Sequence, residues 1–333
     1  MGRTGPENRM PAPADPRAPL VTVFGATGAQ GGGLVRAVLA RDKPDFRIRA
    51  VTRQPKGDRA QELAKLGAEV VAADLDDAAS VEQAMRGAHG AYCVTNFWEH
   101  FSPERELKQA ENLAEGAKRA GVKHVIWSTL EDTRRLVPAD GRRMPVLMGT
   151  YNVPHFDAKG EANRFFSERN LPVTFLLTSF YWDNLIHFGM GPQRGPDGGL
   201  VFVLPMDDRP LPGIAVADIG ACAAGILRSA DKTIGRTIGI AGQHLTGAEM
   251  AAALGKALNE PVTHVPMAPE QYAKLGFPGA DDLANMFQFK RDFNAAFCAA
   301  RPVAETKALN PGLLDFDAWL LQAGTRIQVP PKA

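Results

Sequence analysis

Residues 20–39 read LVTVFGATGAQGGGLVRAVL, and the architecture of the chain follows from this stretch. Leu20–Phe24 is a short run of apolar and β-branched side chains, which predicts a buried strand. Gly25, Gly28 and Gly31 follow at G-x-x-G-x-x-G spacing, and apolar residues then recur at Leu34, Val35, Val38 and Leu39 with the period of a helix. Strand, glycine turn and helix in that order make the first βα unit of a dinucleotide-binding fold. The glycines permit a tight turn and let backbone N–H groups approach a pyrophosphate, while the helix N-terminus adds its positive dipole end. The glycine spacing alone carries little; its agreement with the strand before it and the helix after it carries the assignment.

The same alternation continues down the chain. Strands are predicted at Arg47–Thr52, Glu69–Ala73, Gly90–Val94, His124–Ser128 and Val173–Leu177. Helical patterns separate them at 58–66, 80–85, 103–120 and 156–169. This rhythm predicts an α/β protein with a Rossmann-type, doubly wound parallel sheet covered on both faces. Its ligand crevice lies at the carboxyl ends of the strands. After residue 190 the elements shorten. Residues 191–333 therefore read as a smaller C-terminal α+β region packed on the sheet, serving as substrate region or lid, beside a dinucleotide-binding Rossmann domain over 19–190. Glu131–Tyr151 is an Arg-, Pro- and Gly-rich excursion past the fifth strand, either a lid over the crevice or a solvated loop.

Composition narrows the functional classes. The chain has 333 residues, with 38 Lys+Arg against 37 Asp+Glu, so it lacks the basic excess that nucleic acid or an anionic membrane would require. No apolar stretch approaches the roughly 20 residues of a membrane helix. Residues 1–18 hold four prolines and almost no large apolar side chain, and read as a disordered tail without signal or transit features. Cys93, Cys222 and Cys298 are widely spaced, which argues against a disulfide framework or metal site and for a reducing, cytoplasmic setting.

The end of the second strand selects among cofactors. A carboxylate there accepts the ribose 2′-OH of NAD, whereas an arginine accommodates the 2′-phosphate of NADP. The strand ends Val51-Thr52-Arg53, with Lys56 and Arg59 close behind and no acidic residue at the position, so NADP(H) is favoured over a solvated basic turn. Asp74, after the third strand, stands where an adenine edge would arrive. Thr95, Asn96 and Phe97, after the fourth, would lie under the ribose and pyrophosphate.

With these residues in hand the chain resembles the NmrA-like family, an atypical branch of the short-chain dehydrogenase/reductase superfamily, and within it the branch of NADPH sensors. The matching segments are VTVFGATGAQGGG at 21–33, VTR at 51–53, ADL at 73–75, VTNFWE at 94–99, HFDAKGE at 155–161 and SFYWDNL at 179–185. The resemblance implies that Thr27, Gly28, Ala29, Gln30 and Gly31 hold the pyrophosphate and that Arg53 and Lys56 take the 2′-phosphate. Asp74 and Leu75 would then frame the adenine, and Thr95, Asn96 and Phe97 the central sugar. Lys159 would reach the nicotinamide ribose, with Tyr181, Trp182, Asp183 and Asn184 beside the nicotinamide.

Typical members of that superfamily pair a Ser with a Tyr four residues before a Lys, a division suited to proton transfer coupled to hydride transfer. Here Ser128 ends the fifth strand and Lys159 is present, but His155 stands four residues before it. Tyr151 is eight before, and Pro154 interrupts any helix between them. Two readings follow. In the first, His155 is the acid/base of an NADPH-dependent oxidoreductase acting on a small apolar carbonyl, imine or activated alkene. In the second, the fold keeps the cofactor without turnover, as an NADP(H)-sensing regulator with a protein partner. Cofactor-retaining isomerase or lyase chemistry ranks below both. A homodimer is compatible with each. Phe97, Trp98, Phe180, Tyr181, Trp182 and Phe188 are expected either to line an apolar pocket or to serve as plain core.

Overall fold

The computed structural model describes residues 14–331; most of the expected N-terminal tail lies outside them. Seven parallel strands form the central sheet. In chain order the first six are β1 (Leu20–Val23), β2 (Arg47–Thr52), β3 (Glu69–Ala72), β4 (Gly90–Cys93), β5 (His124–Thr129) and β6 (Val173–Leu177). Across the sheet they run β3-β2-β1-β4-β5-β6, so the order reverses at β1, where the ligand crevice of a doubly wound sheet opens. The intervening helices are α1 (Ala29–Leu39), α2 (Asp58–Lys65), α3 (Ala78–Met85), α4 (Pro103–Ala120) and α5 (Pro154–Glu168). β1, β4 and β5 are buried at every residue, as strands covered on both faces must be.

The seventh strand, Thr237–Gly239, comes from beyond residue 190 and pairs in parallel with β6. It covers an edge that would otherwise expose unpaired backbone groups. The helix Val216–Arg228 from the same part of the chain packs along α1, with Gly33 and Gly220 at the crossing. The expected division at 190 is thus crossed twice. The rest of the C-terminal part is an α+β body with two three-stranded sheets, one of which takes in the strand Phe180–Tyr181 from before residue 190. Its core gathers Trp182, Phe202, Phe287, Phe289, Phe316 and Trp319.

The excursion 131–151 is fastened to that body. Val137 and Met144 enter its core, and Asn285 donates to the carbonyl of Pro145 at 2.8 Å. Arg301, fully buried, donates from Nη1 to Glu131 Oε1 at 2.6 Å and from Nη2 to Oε2 at 3.0 Å. Among the described residues no helix is long and apolar enough to cross a membrane.

Candidate functional site

The glycine turn caps the carboxyl end of β1. Gly25 has φ +64°, a conformation that only glycine adopts freely, and its carbonyl accepts from the N–H of Gly28 at 2.9 Å. A Cβ on Gly31 would stand 2.5 Å from the Gly25 carbonyl oxygen, so the third glycine lets α1 start directly behind the turn. Gly28 is the N-cap of α1 and supplies no side-chain cap, while Gly28 and Ala29 are exposed. A helix N-terminus left open in this way, with no side chain on its N-cap residue, fits a pyrophosphate.

Gln30, one residue into α1, turns its amide inward. Its Nε2 donates to Tyr181 Oη at 2.6 Å, while its Oε1 accepts from Ser128 Oγ at 2.7 Å and from the Tyr92 hydroxyl. Burial pushes the Tyr181 hydroxyl above its ordinary value, opposed by hydrogen bonds from Thr178 and Gln30. Ser128 is therefore committed to this cluster.

A second network surrounds Lys159. Its Nζ donates to the Thr95 carbonyl at 3.0 Å, to Thr95 Oγ1 at 2.7 Å and to Glu106 Oε1 at 2.6 Å; the Thr95 hydroxyl in turn donates to Glu106. Glu106 is fully buried on α4. Burial alone would raise its carboxyl. The Lys159 charge, with the nearby His100 ring and hydrogen bonds from Lys159 and Thr95, outweighs that and holds it at about 2. His100 completes the network, with Nε2 3.5 Å from Glu106 Oε2.

The third group centres on His155, in the first turn of α5. Its ring Nδ1 lies 2.6 Å from Asp282 Oδ1, and its backbone N–H donates to Oδ2 at 3.2 Å. Trp98 and Phe97 cover the ring, at centroid distances of 4.7 and 6.1 Å. Pro154 begins α5, so Tyr151 lies outside the helix, under the Arg134 guanidinium at 4.9 Å. Asp157, four acceptor contacts deep, ties the start of α5 to Thr133, Asn152 and Val153.

Around the rim, Arg53 at the end of β2 forks onto both Glu99 oxygens, Nη2 to Oε2 at 3.0 Å. Lys56 is exposed in the following turn. Asp74 Oδ1 accepts from the backbone of Asp76 at 3.0 Å, and the Leu75 carbonyl accepts from Asn112 at 2.8 Å. Asn96 is exposed and Phe97 buried.

The segment 181–184 divides. Tyr181 joins Gln30, whereas Trp182 is buried against Phe316 and Trp319, turned into the C-terminal core. Asp183 accepts from the Val216 backbone at 2.9 Å, and Asn184 opens a short helix. The six expected pocket aromatics do not share one wall: Phe180 and Trp182 belong to the C-terminal core, and Phe188 is 74% exposed.

Ser128, Lys159 and His155 thus sit in three adjoining but separate hydrogen-bonded groups. Glu106, Asp282 and Glu99 are the partners that sequence reading missed. For Glu106 a signal existed: it lies on the stripe Glu106, Ala110, Leu113 and Ala117, the buried face of α4.

The sequence model of the NmrA-like family matches residues 18–320. Over 292 residues the chain is 27% identical to an NmrA-like family domain-containing oxidoreductase of Penicillium ochrochloron, covering 82% of this chain and 84% of that protein. In fold it is similar to NmrA, a negative transcriptional regulator, in complex with NAD: TM-score 0.74, 24% identity, 91% of this chain and 94% of that one. It is also similar to the Citrobacter sp. triphenylmethane reductase complexed with NADP(H): TM-score 0.69, 20% identity, 92% of this chain and 99% of that one.

Proposed function

The chain belongs to the NmrA-like family, and on that footing we propose that it is an NADP(H)-dependent oxidoreductase for a small apolar carbonyl, imine or activated alkene. The observation that carries this reading is the convergence of Lys159 and His155 on one segment. Lys159 Nζ bonds Thr95, and the His155 ring packs under Phe97 and Trp98, two and three residues on. A helix carries both, four residues apart and so on one face.

When bound, the nicotinamide cofactor supplies the hydride chemistry. The backbone of Thr27–Gly31 and the N-terminus of α1 would hold its pyrophosphate, and Arg53 with Lys56 its 2′-phosphate. Asp74 and Leu75 would border the adenine, Thr95, Phe97 and Lys159 the sugars, and Tyr181 the nicotinamide. His155 is the group suited to give or take a proton, at Nε2, because Nδ1 is engaged by Asp282. Asp282 is a positioning residue: it fixes the ring orientation and stabilises the imidazolium. Glu106 sets the position of the Lys159 ammonium.

A second reading is an NADP(H)-responsive regulator without turnover. It is favoured by one observation, the engagement of Ser128 with Gln30 away from His155 and Lys159. One experiment separates the two. NADPH absorbance is followed with a panel of carbonyls, imines and quinones for the wild type, His155→Phe and Lys159→Met. The oxidoreductase reading expects turnover that falls roughly tenfold or more in each variant. Absence of turnover across the panel, with NADPH changing protease sensitivity or oligomeric state, would replace it with the regulator.

A further inference from the structure

Arg53 does not stand alone at the end of β2. Both of its terminal nitrogens donate to Glu99, a fork–fork pairing in which Nη1 meets Oε1 and Nη2 meets Oε2. This is the geometry with which an arginine grips a phosphate. Glu99 is fixed nearby by its own segment. It belongs to the one-turn 3-10 helix Phe97–Glu99, whose first residue is buried and whose carbonyl accepts from the N–H of Phe101 at 2.8 Å. The pair lies at the surface, with the Arg53 and Glu99 side chains 54% and 39% exposed. A surface pair of this kind is weak enough for a better anion to displace. The other charged neighbours are arranged around it: Asp74 attracts Arg53 and Arg105 repels it, while Arg105 itself is held by Asp76, with its Nε 2.9 Å from Oδ2.

We propose that Glu99 sets the preference between phosphorylated and unphosphorylated dinucleotides, by competing with the 2′-phosphate for the Arg53 fork. This rests on the reading of Arg53 as the 2′-phosphate ligand. A phosphate entering the fork must displace the carboxylate and then sit beside it, so the dianion meets a like charge at close range. A ribose 2′-OH brings no charge, neither needs the fork nor suffers from Glu99, and can donate a hydrogen bond to the carboxylate as it stands. Glu99 therefore lowers NADPH affinity selectively. It keeps the protein from being saturated by NADPH at concentrations where an unopposed arginine would be.

The test is direct binding of NADPH and NADH to the full-length protein, by titration calorimetry or nucleotide fluorescence, for the wild type, Glu99→Gln and Arg53→Ala. Glutamine keeps the shape and removes the charge, and thermal melts verify that each variant is folded. Glu99→Gln is expected to tighten NADPH about tenfold and to leave NADH within about twofold, with the gain shrinking as salt is raised. Arg53→Ala is expected to weaken NADPH selectively. If Arg53→Ala behaves so but Glu99→Gln leaves NADPH unchanged or weaker, Glu99 orients Arg53 and the competition is refuted. If the wild type does not bind NADPH, or Arg53→Ala weakens both nucleotides equally, the 2′-phosphate assignment fails and the role of Glu99 falls with it.

Discussion

Glu106→Gln is expected to lower the stability of the protein by about 3 kcal/mol at pH 7, one of the largest losses available to an isosteric change, because it leaves a largely buried ammonium without its counter-charge. Lys159 keeps both Thr95 oxygens but loses the charge 2.6 Å away on Glu106 Oε1. The pH dependence distinguishes this from a packing defect. The Glu106 carboxyl is held at about 2 in the folded protein against 4.5 for an ordinary glutamate. A folded value below the unfolded one binds fewer protons in the folded state. The stabilisation is therefore complete above about pH 4.5 and is lost as pH falls through the window toward 2. Denaturant titrations of wild type and variant should differ by about 3 kcal/mol at pH 7 and by roughly half that at pH 3. A difference that stays constant over this range would mean that Glu106 is mere packing. Because Lys159 is positioned through this carboxylate, the variant should also bind NADPH more weakly while Arg53 remains intact.

Gly220→Ala is expected to cost about 3 kcal/mol or more, since the new methyl group has nowhere to go. Its Cβ would lie 2.1 Å from the Gly33 carbonyl carbon, 2.2 Å from the Leu34 nitrogen and 2.6 Å from the Gly33 oxygen. All three are backbone atoms of α1, so no side-chain rotation relieves the clash; the two helices must part. The reciprocal change is milder: a Cβ on Gly33 would sit 3.2 Å from the Val216 carbonyl oxygen, a contact that a small shift can accommodate. Chemical denaturation of the two variants side by side should rank Gly220→Ala well below Gly33→Ala. Because α1 begins at the glycine turn, moving it should also weaken nucleotide binding in Gly220→Ala. Equal stabilities would show that the helix crossing is softer than its backbone contacts imply.

Local chemistry made much of the fold legible in advance. The run LVTVF, the three spaced glycines and the apolar period of α1 are short-range signals, and each element they imply is present within a residue or two. Pro154 was readable as a break between Tyr151 and the helix of Lys159, and α5 begins at it, two residues before the expected start at 156. The place of Arg53 directly after β2 was readable because the pattern of the strand fixes where it ends.

What the sequence could not supply were the partners brought in from far along the chain. Asp282 meets His155 across 127 residues, and Glu106 meets Lys159 across 53. Trp182 looked like a crevice residue by its place in the motif, yet Phe316 and Trp319 offer it a larger apolar contact in the C-terminal core. The seventh strand was unreadable for the same reason. Thr237–Gly239 is only three residues long and becomes a strand by pairing with β6. Sequence by itself determined the first six strands of the sheet, their order along the chain and the glycine turn, since propensity, periodicity and turn chemistry act between near neighbours. Tertiary structure alone decided which charges face Arg53, Lys159 and His155, because a buried or forked ion pair depends on where distant segments come to rest.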